Sequence, residues 1–380
     1  MKKIIASLVA IAIASSVAFA EVKFSFYNKL YEDGTIAYHS DAADDTYTDF
    51  PAIKERMYFE VLTDRVDAMV KATVALDDYD YKHFGLQGSL DDWYIEFRPI
   101  EILTLGMHTG IFSDGSYLPI YDDNLYAGNI GSDGFTVTLR PAKDQDLRIS
   151  LTAPFSFDGS DDAADVNWLN GKEEDGEDEE FNIGIGAIYG QDLFQIGLSL
   201  QDVIDSDERQ FGAYVNLPTL FGLSESLTLG AGFAHTWADY ATAFKDLTYF
   251  GGLGYENLLS AYATFDLDKV SFAAELLYNL GGNDDVFLDD DGVFIGYDFY
   301  SALSVSFGLA DALTATAKGK ILTDSTSSSK GGQETAFAAA FALDYDINDN
   351  NTVGVEFDFD TCDSDWAIAV PLYWKYHFDK

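Results

Sequence analysis

Along most of this chain, apolar and polar residues take turns with a period of two. That pattern restricts the fold to sheets with one dry and one wet face. In residues 312–322, "ALTATAKGKIL", Thr314, Thr316, Lys318 and Lys320 stand on one side, and Leu313, Ala315, Ala317, Gly319 and Ile321 on the other. Phe135, Val137 and Leu139 oppose Thr136, Thr138 and Arg140. Likewise Val353, Val355, Phe357 and Phe359 oppose Gly354, Glu356, Asp358 and Asp360. With 29 Phe, 23 Tyr and 32 Gly against 7 Pro, the composition is that of strands and turns. A soluble sandwich and a membrane barrel both satisfy these observations.

The connections discriminate between them. Some are brief: "TDR" at 63–65, "RPI" at 98–100, "GQD" at 190–192, "LDK" at 267–269, "AD" at 310–311 and "NDN" at 348–350. Others are long and polar: 36–51, 77–89, 109–133, 156–180, 238–253, 280–294 and 323–333. Long and short largely alternate, as in an up-and-down barrel with turns at one rim and loops at the other; Greek-key sandwiches have no such rhythm. No apolar run after residue 20 reaches the roughly 20 residues of a membrane helix, whereas barrel strands need only about 9 to 11. The expectation is therefore an all-β, transmembrane, antiparallel up-and-down β-barrel of about 18 strands, with 16 as the alternative. Residues 238–257 have room for a further hairpin. In the last strand Trp366, Ile368, Val370, Leu372, Trp374, Tyr376 and Phe378 form one apolar, aromatic face suited to lipid and its two interfaces.

Residues 1–20, "MKKIIASLVAIAIASSVAFA", have two lysines, a short apolar stretch and an A-x-A close, which predicts a cleaved secretory signal followed by one domain over 21–380. That segment holds two of the 22 basic residues and none of the 65 acidic ones, so the remainder carries 65 against 20, or −45. Such a charge disfavours nucleic acid and anionic surfaces as partners and favours cations. Cys362 is the single cysteine, which excludes an internal disulfide framework.

The run "DDWYIEFRPIEILTLGMHTGIF" (91–112), followed by "SDGSYLPIYDDNLYAGNIGSDGF" (113–135), resembles the hairpin and inward-folded third loop of Gram-negative outer-membrane porins. The aromatic last strand is similar to their assembly signal. The resemblance implies a water-filled, homotrimeric barrel in the outer membrane, with long external loops, short periplasmic turns and loop three folded into the lumen. Small hydrophilic solutes and ions would diffuse through it, with cations preferred because the chain is acidic. The face opposite the apolar one would line the lumen, giving a basic wall of Lys23, Lys54, Arg56, Lys71, Arg98, Arg140 and Arg148, with Lys29 on the same face as Lys23. Asp114, Asp122 and Asp123 of the third loop would oppose that wall and set up a transverse field. Tyr94, Tyr117 and Tyr121 are candidate solute contacts.

Two acidic loop clusters, around Glu173, Glu174 and Asp175 and at Asp289, Asp290 and Asp291, would gather cations such as Ca2+ loosely. Neither has the spacing of a calcium loop, and like-charge blocks of this kind are usually hydrated. No G-x-S-x-G or H-x-x-x-H pattern accompanies His39, His83, His108, His235 or His377, so no catalytic role is expected. The alternative reading is a structural or adhesive barrel with a closed lumen and ligand-binding acidic loops; a secreted soluble β-sheet binding protein is the third.

Overall fold

The computed structural model describes residues 21–32, 35–40, 43–45, 52–63, 65–80, 83–108, 117–118, 123–124, 134–142, 145–152, 184–191, 193–201, 203, 209–219, 226–237, 241–248, 251–280, 287–288, 294–323, 335–362 and 365–379. No helix occurs among them; the main body is a 21-stranded sheet of antiparallel neighbours. Strands pair with their successors through hairpins, as Val270–Asn279 pairs Asn257–Leu267 and Asn351–Cys362 pairs Thr335–Asn348. The first strand, Glu21–Glu32, pairs both Ala52–Leu62 and the last strand, Leu372–Asp379.

Period-two alternation becomes a division of faces. On one parity large apolar side chains are exposed, among them Leu303 (64%), Phe337 (51%) and Phe357 (48%), while Thr104, Thr136, Thr138 and Ser260 are buried on the other. A water-soluble sheet domain would show the reverse. The aromatic face of the last strand keeps its parity across Pro371: Leu372 and Trp374 are exposed, and Glu356 N donates to Pro371 O at 2.9 Å. That bond holds the register where proline supplies no N–H.

Two expected loops contain paired strands. Residues 77–80 lie in Val66–Asp80 and 83–89 in His83–Ile100, paired through Leu76↔Leu86, Asp77↔Gly85 and Asp80↔His83. Within 36–51, Thr35–Ser40 pairs Ala43–Asp45. In both stretches polar residues fall on both parities, so the alternation lapses although backbone pairing continues, and they read as loops.

The hairpin foreseen in 238–257 is present: Ala241–Thr248 pairs Gly251–Tyr255. It joins Phe287–Leu288 and Phe294–Tyr297 in a separate four-stranded sheet, with Gly251–Tyr255 parallel to Phe294–Tyr297. Every residue of Gly251–Tyr255 is buried, Gly251 at a φ of 136 that suits glycine. The main apolar cluster joins Leu253, Tyr255 and Tyr297 of this small sheet to Leu258, Leu277, Tyr300, Leu322 and Ala336 of the large one.

Candidate functional site

The polar face of the large sheet can be read row by row from its register. One row runs Gln195, Asn216, Gly230, Tyr262, Glu275, Ala302, Lys320, Ala338, Asp360, Ala367 across successive strands. Asn216 donates through Nδ2 to Gln195 Oε1 at 3.3 Å, and the Tyr262 hydroxyl donates to Asn216 Oδ1 at 3.3 Å. Gly230 lies between them in the row, and a Cβ there would fall inside the Tyr262 ring. Only glycine lets the ring lie flat across its neighbouring strand. Gly354 serves Tyr373 in the same way, with the Tyr373 hydroxyl donating to Asp344 Oδ1 at 2.7 Å. Glu275, 2% exposed, accepts from the Tyr300 hydroxyl.

Charge concentrates on three adjacent strands. Leu313–Thr323 places Lys318 and Lys320 on the polar face, and Asn351–Cys362 places Glu356, Asp358 and Asp360 there. Between them Thr335–Asn348 contributes Ala338, Ala340 and Ala342, in the rows Thr316↔Ala342↔Glu356, Lys318↔Ala340↔Asp358 and Lys320↔Ala338↔Asp360. Strands lie about 4.8 Å apart, so the two charged columns are roughly 10 Å apart over a floor of methyl groups. Alanine side chains leave room for Lys318 Nζ to reach across to within 3.6 Å of Glu356 Oε1, and Ala342 in the floor is buried.

The same strands turn apolar toward their other end. Tyr300, Leu322 and Ala336 lie on the parity of Ser304, Lys320 and Ala338 but are fully covered by the small loop sheet, and Ala302, 1% exposed, belongs to the same cluster. One face thus carries charged side chains along one part of these strands and fully covered apolar ones along the other.

The expected basic wall is distributed around the first strands. By register Lys23 is opposite Glu60, Arg56 opposite Tyr27 and Thr73, and Lys29 opposite both Lys54 and Lys375, which puts three lysine positions in one row over the junction of first and last strands. Lys375 Nζ sits 4.4 Å from the Tyr373 ring centroid. Lys71 is half-buried, opposite Tyr58. Arg98 and Arg140 are engaged near hairpin turns: Arg98 pairs with Asp67 and stands 4.0 Å from Glu96, while Arg140 donates to Thr104 Oγ1 at 2.6 Å. Arg148 is opposite Thr138 and Ile188 in the backbone ladder. The Tyr94 hydroxyl donates to Glu60 Oε1 at 3.2 Å, across Met69.

Of the third loop, Tyr117–Leu118 pairs Asp123–Asn124. Asp114, Tyr121 and Asp122 lie outside the described residues, as do Glu173, Glu174, Asp175, Asp289, Asp290, Asp291 and the whole of residues 1–20. The Lys318–Lys320 and Glu356–Asp360 columns were absent from the expected wall although both parities were plain. What sequence did not reveal was that a strand of alanines brings them together.

No family model matches the chain, and no curated protein matches it. Solved structures do. Pseudomonas aeruginosa OpdQ superposes with a TM-score of 0.56 at 12% identity, covering 95% of this chain and 98% of that one. Acinetobacter baumannii OccAB3 gives 0.56 at 11%, covering 96% and 100%. Pseudomonas aeruginosa OccK9 (OpdG) gives 0.56 at 13%, covering 96% and 99%. These proteins are outer-membrane β-barrel porins, and the chain has their fold.

Proposed function

We propose that the chain is an outer-membrane porin: a barrel of eighteen spans whose apolar parity meets lipid and whose polar parity lines a water-filled passage for small hydrophilic solutes and ions. The strand pairings support eighteen: of the 21 strands, Thr35–Ser40, Ala43–Asp45 and Leu372–Asp379 prolong spans begun by a neighbour in sequence. The observation that carries the reading is the inverted distribution of residues, exposed Phe and Leu on one parity and ion pairs and buried hydroxyls on the other. Relatives in fold are substrate-specific porins, channels and not enzymes, which favours selective passage without catalysis.

Selectivity on this reading comes from width and charge. The loop sheet of Ala241–Thr248, Gly251–Tyr255, Phe287–Leu288 and Phe294–Tyr297 fills one side of the lumen at the long-loop end, so the passage runs along the remaining wall. There it meets the lysine row at 29, 54 and 375, together with Lys23, Arg56, Lys71 and Arg148, and then the Lys–Ala–carboxylate strip. Arg98 and Arg140 hold strand ends together. Asp114, Asp122 and Asp123 with Tyr117 and Tyr121 would add a second constriction from loop three. Net charge near −45 favours cations, and the acidic loops at 173–175 and 289–291 would hold Ca2+ only loosely at the mouth. Residues 1–20 act as the export signal, and the assembly is a homotrimer.

The test is conductance of the purified protein in planar bilayers under a salt gradient. Open channels with a reversal potential of cationic sign are expected. A folded, membrane-inserted protein that conducts nothing would instead support the closed adhesive barrel.

A further inference from the structure

Few charged residues fall on the parity that faces lipid, Glu55 by register among them, and another lies at the long-loop end of two neighbouring strands. Arg209 immediately precedes Gln210–Leu217 and is joined to Trp237 by the bond Trp237 N to Arg209 O at 2.8 Å. Both share the parity of Phe211 and Phe233, which pack at 6.4 Å, one step from Arg209 and two from Trp237 toward the middle of the sheet. The Arg209 guanidinium lies 5.7 Å from the Trp237 ring centroid. Trp237 is 47% exposed and meets the His235 ring edge-on at 4.4 Å. His235 Nδ1 is 2.9 Å from Asn257 Oδ1. Arg209 donates from one terminal nitrogen to Val203 O at 2.9 Å, while its Nε is buried with no hydrogen-bond partner.

Depth makes this group meaningful. Phe211, Phe233 and the exposed Leu259 mark the end of the apolar band, and a half-exposed tryptophan above them stands where such rings settle at a bilayer interface. An arginine stacked on that ring sits at headgroup level with donors in excess of its protein acceptors. Guanidinium forks match phosphate oxygens, and an ordered cation–π stack fixes the fork beforehand. The strongly acidic chain repels anionic surfaces as a whole. An anion held here is therefore held by local contact and not by the general field.

We propose that Arg209, Trp237 and His235 form a seat for a phosphate-bearing lipid headgroup on the rim of the barrel. The inference rests on the reading that this parity faces lipid. Asp202, Asp205, Asp207 and Glu208 are close in sequence, outside the described residues, and offer the rival chemistry of a divalent cation bridging carboxylates to phosphate.

The experiment is native mass spectrometry of the full chain in maltoside micelles, titrated with phosphatidic acid or with diacylglycerol of the same acyl chains. The wild type is expected to retain phosphatidic acid at least about fivefold better, and Arg209→Gln to bring the two lipids near equality while Arg209→Lys keeps part of the preference. Equal retention by wild type and Arg209→Gln would overturn the proposal. So would complete displacement by excess inorganic phosphate, which indicates a site for free anions, or loss of retention in the wild type on adding EDTA, which indicates the cation bridge. Conductance of the same samples separates the two claims: a conducting Arg209→Gln protein without lipid preference supports both, and a wild type that neither conducts nor needs detergent removes the channel reading itself.

Discussion

Tyr300 and Ser304 lie on one strand with the same parity, yet the first is fully covered by the loop sheet and the second is half-buried, in register with Lys318. The same contrast divides Leu322 from Lys320 and Ala336 from Ala338. Parity therefore says which face a residue takes, while residue type on that face says what fills the space in front of it. An apolar end on the water side would make no sense in an empty tube; it is written for Leu253, Tyr255 and Tyr297, which cover it.

The largest expected effect comes from breaking the filled end. Leu253→Asp places a carboxylate in a fully buried apolar cluster, where burial of an unpaired charge costs several kcal/mol, of order 3–5. Because the small sheet can leave while the barrel wall keeps its hydrogen bonds, the outcome should be a folded barrel with raised single-channel conductance. Unchanged conductance in a folded variant would show that the loop sheet does not narrow the passage.

Changes in the charged strip should be felt by ions more than by stability. Glu356→Gln with Asp358→Asn removes two carboxylates from the strip and should shift the reversal potential toward anions; Lys318→Gln should shift it the other way. If both leave ion preference unchanged, the strip does not border the path.

Third in size is Gly230→Val, which must expel the Tyr262 ring and its bond to Asn216. A loss of about 2 kcal/mol is expected, by analogy with overpacking elsewhere, and Tyr262→Phe should cost only about 1 kcal/mol; the urea midpoint of the refolded protein measures both. The smallest effect is assigned to Arg98→Ala. Its pair with Asp67 lies at a turn with the guanidinium partly exposed, and about 1 kcal/mol is expected by the same measurement.

Much of this fold is legible in sequence because a strand's faces depend on neighbours two residues away. Phe135, Val137 and Leu139 can be assigned to the apolar side with no knowledge of the rest of the chain, and their exposure agrees. The hairpin turns are local too, and "LDK" closes tightly with Asp268 at a φ of 44. Paired strands without alternation, such as those within 77–89, escape because polar residues on both faces look like a loop. The site was harder to read. Lys318 and Asp358 lie forty residues apart in sequence, and their meeting depends on the register of Thr335–Asn348 with both flanking strands. Likewise Arg98 and Arg140 read as lumen cations from parity alone, while the contacts that occupy them come from other hairpins.

All of these expectations presuppose that one parity meets hydrocarbon and the other meets water. Adjacent positions on one strand test that most directly: in a Cys362→Ser background, single cysteines at Ala340 and at Phe341 of the liposome-reconstituted protein are challenged with a membrane-impermeant maleimide. Cysteine at 340 should react and cysteine at 341 should not. The opposite pattern, or equal protection of both inside a protein that stays in solution without lipid or detergent, would contradict the barrel and the passage within it.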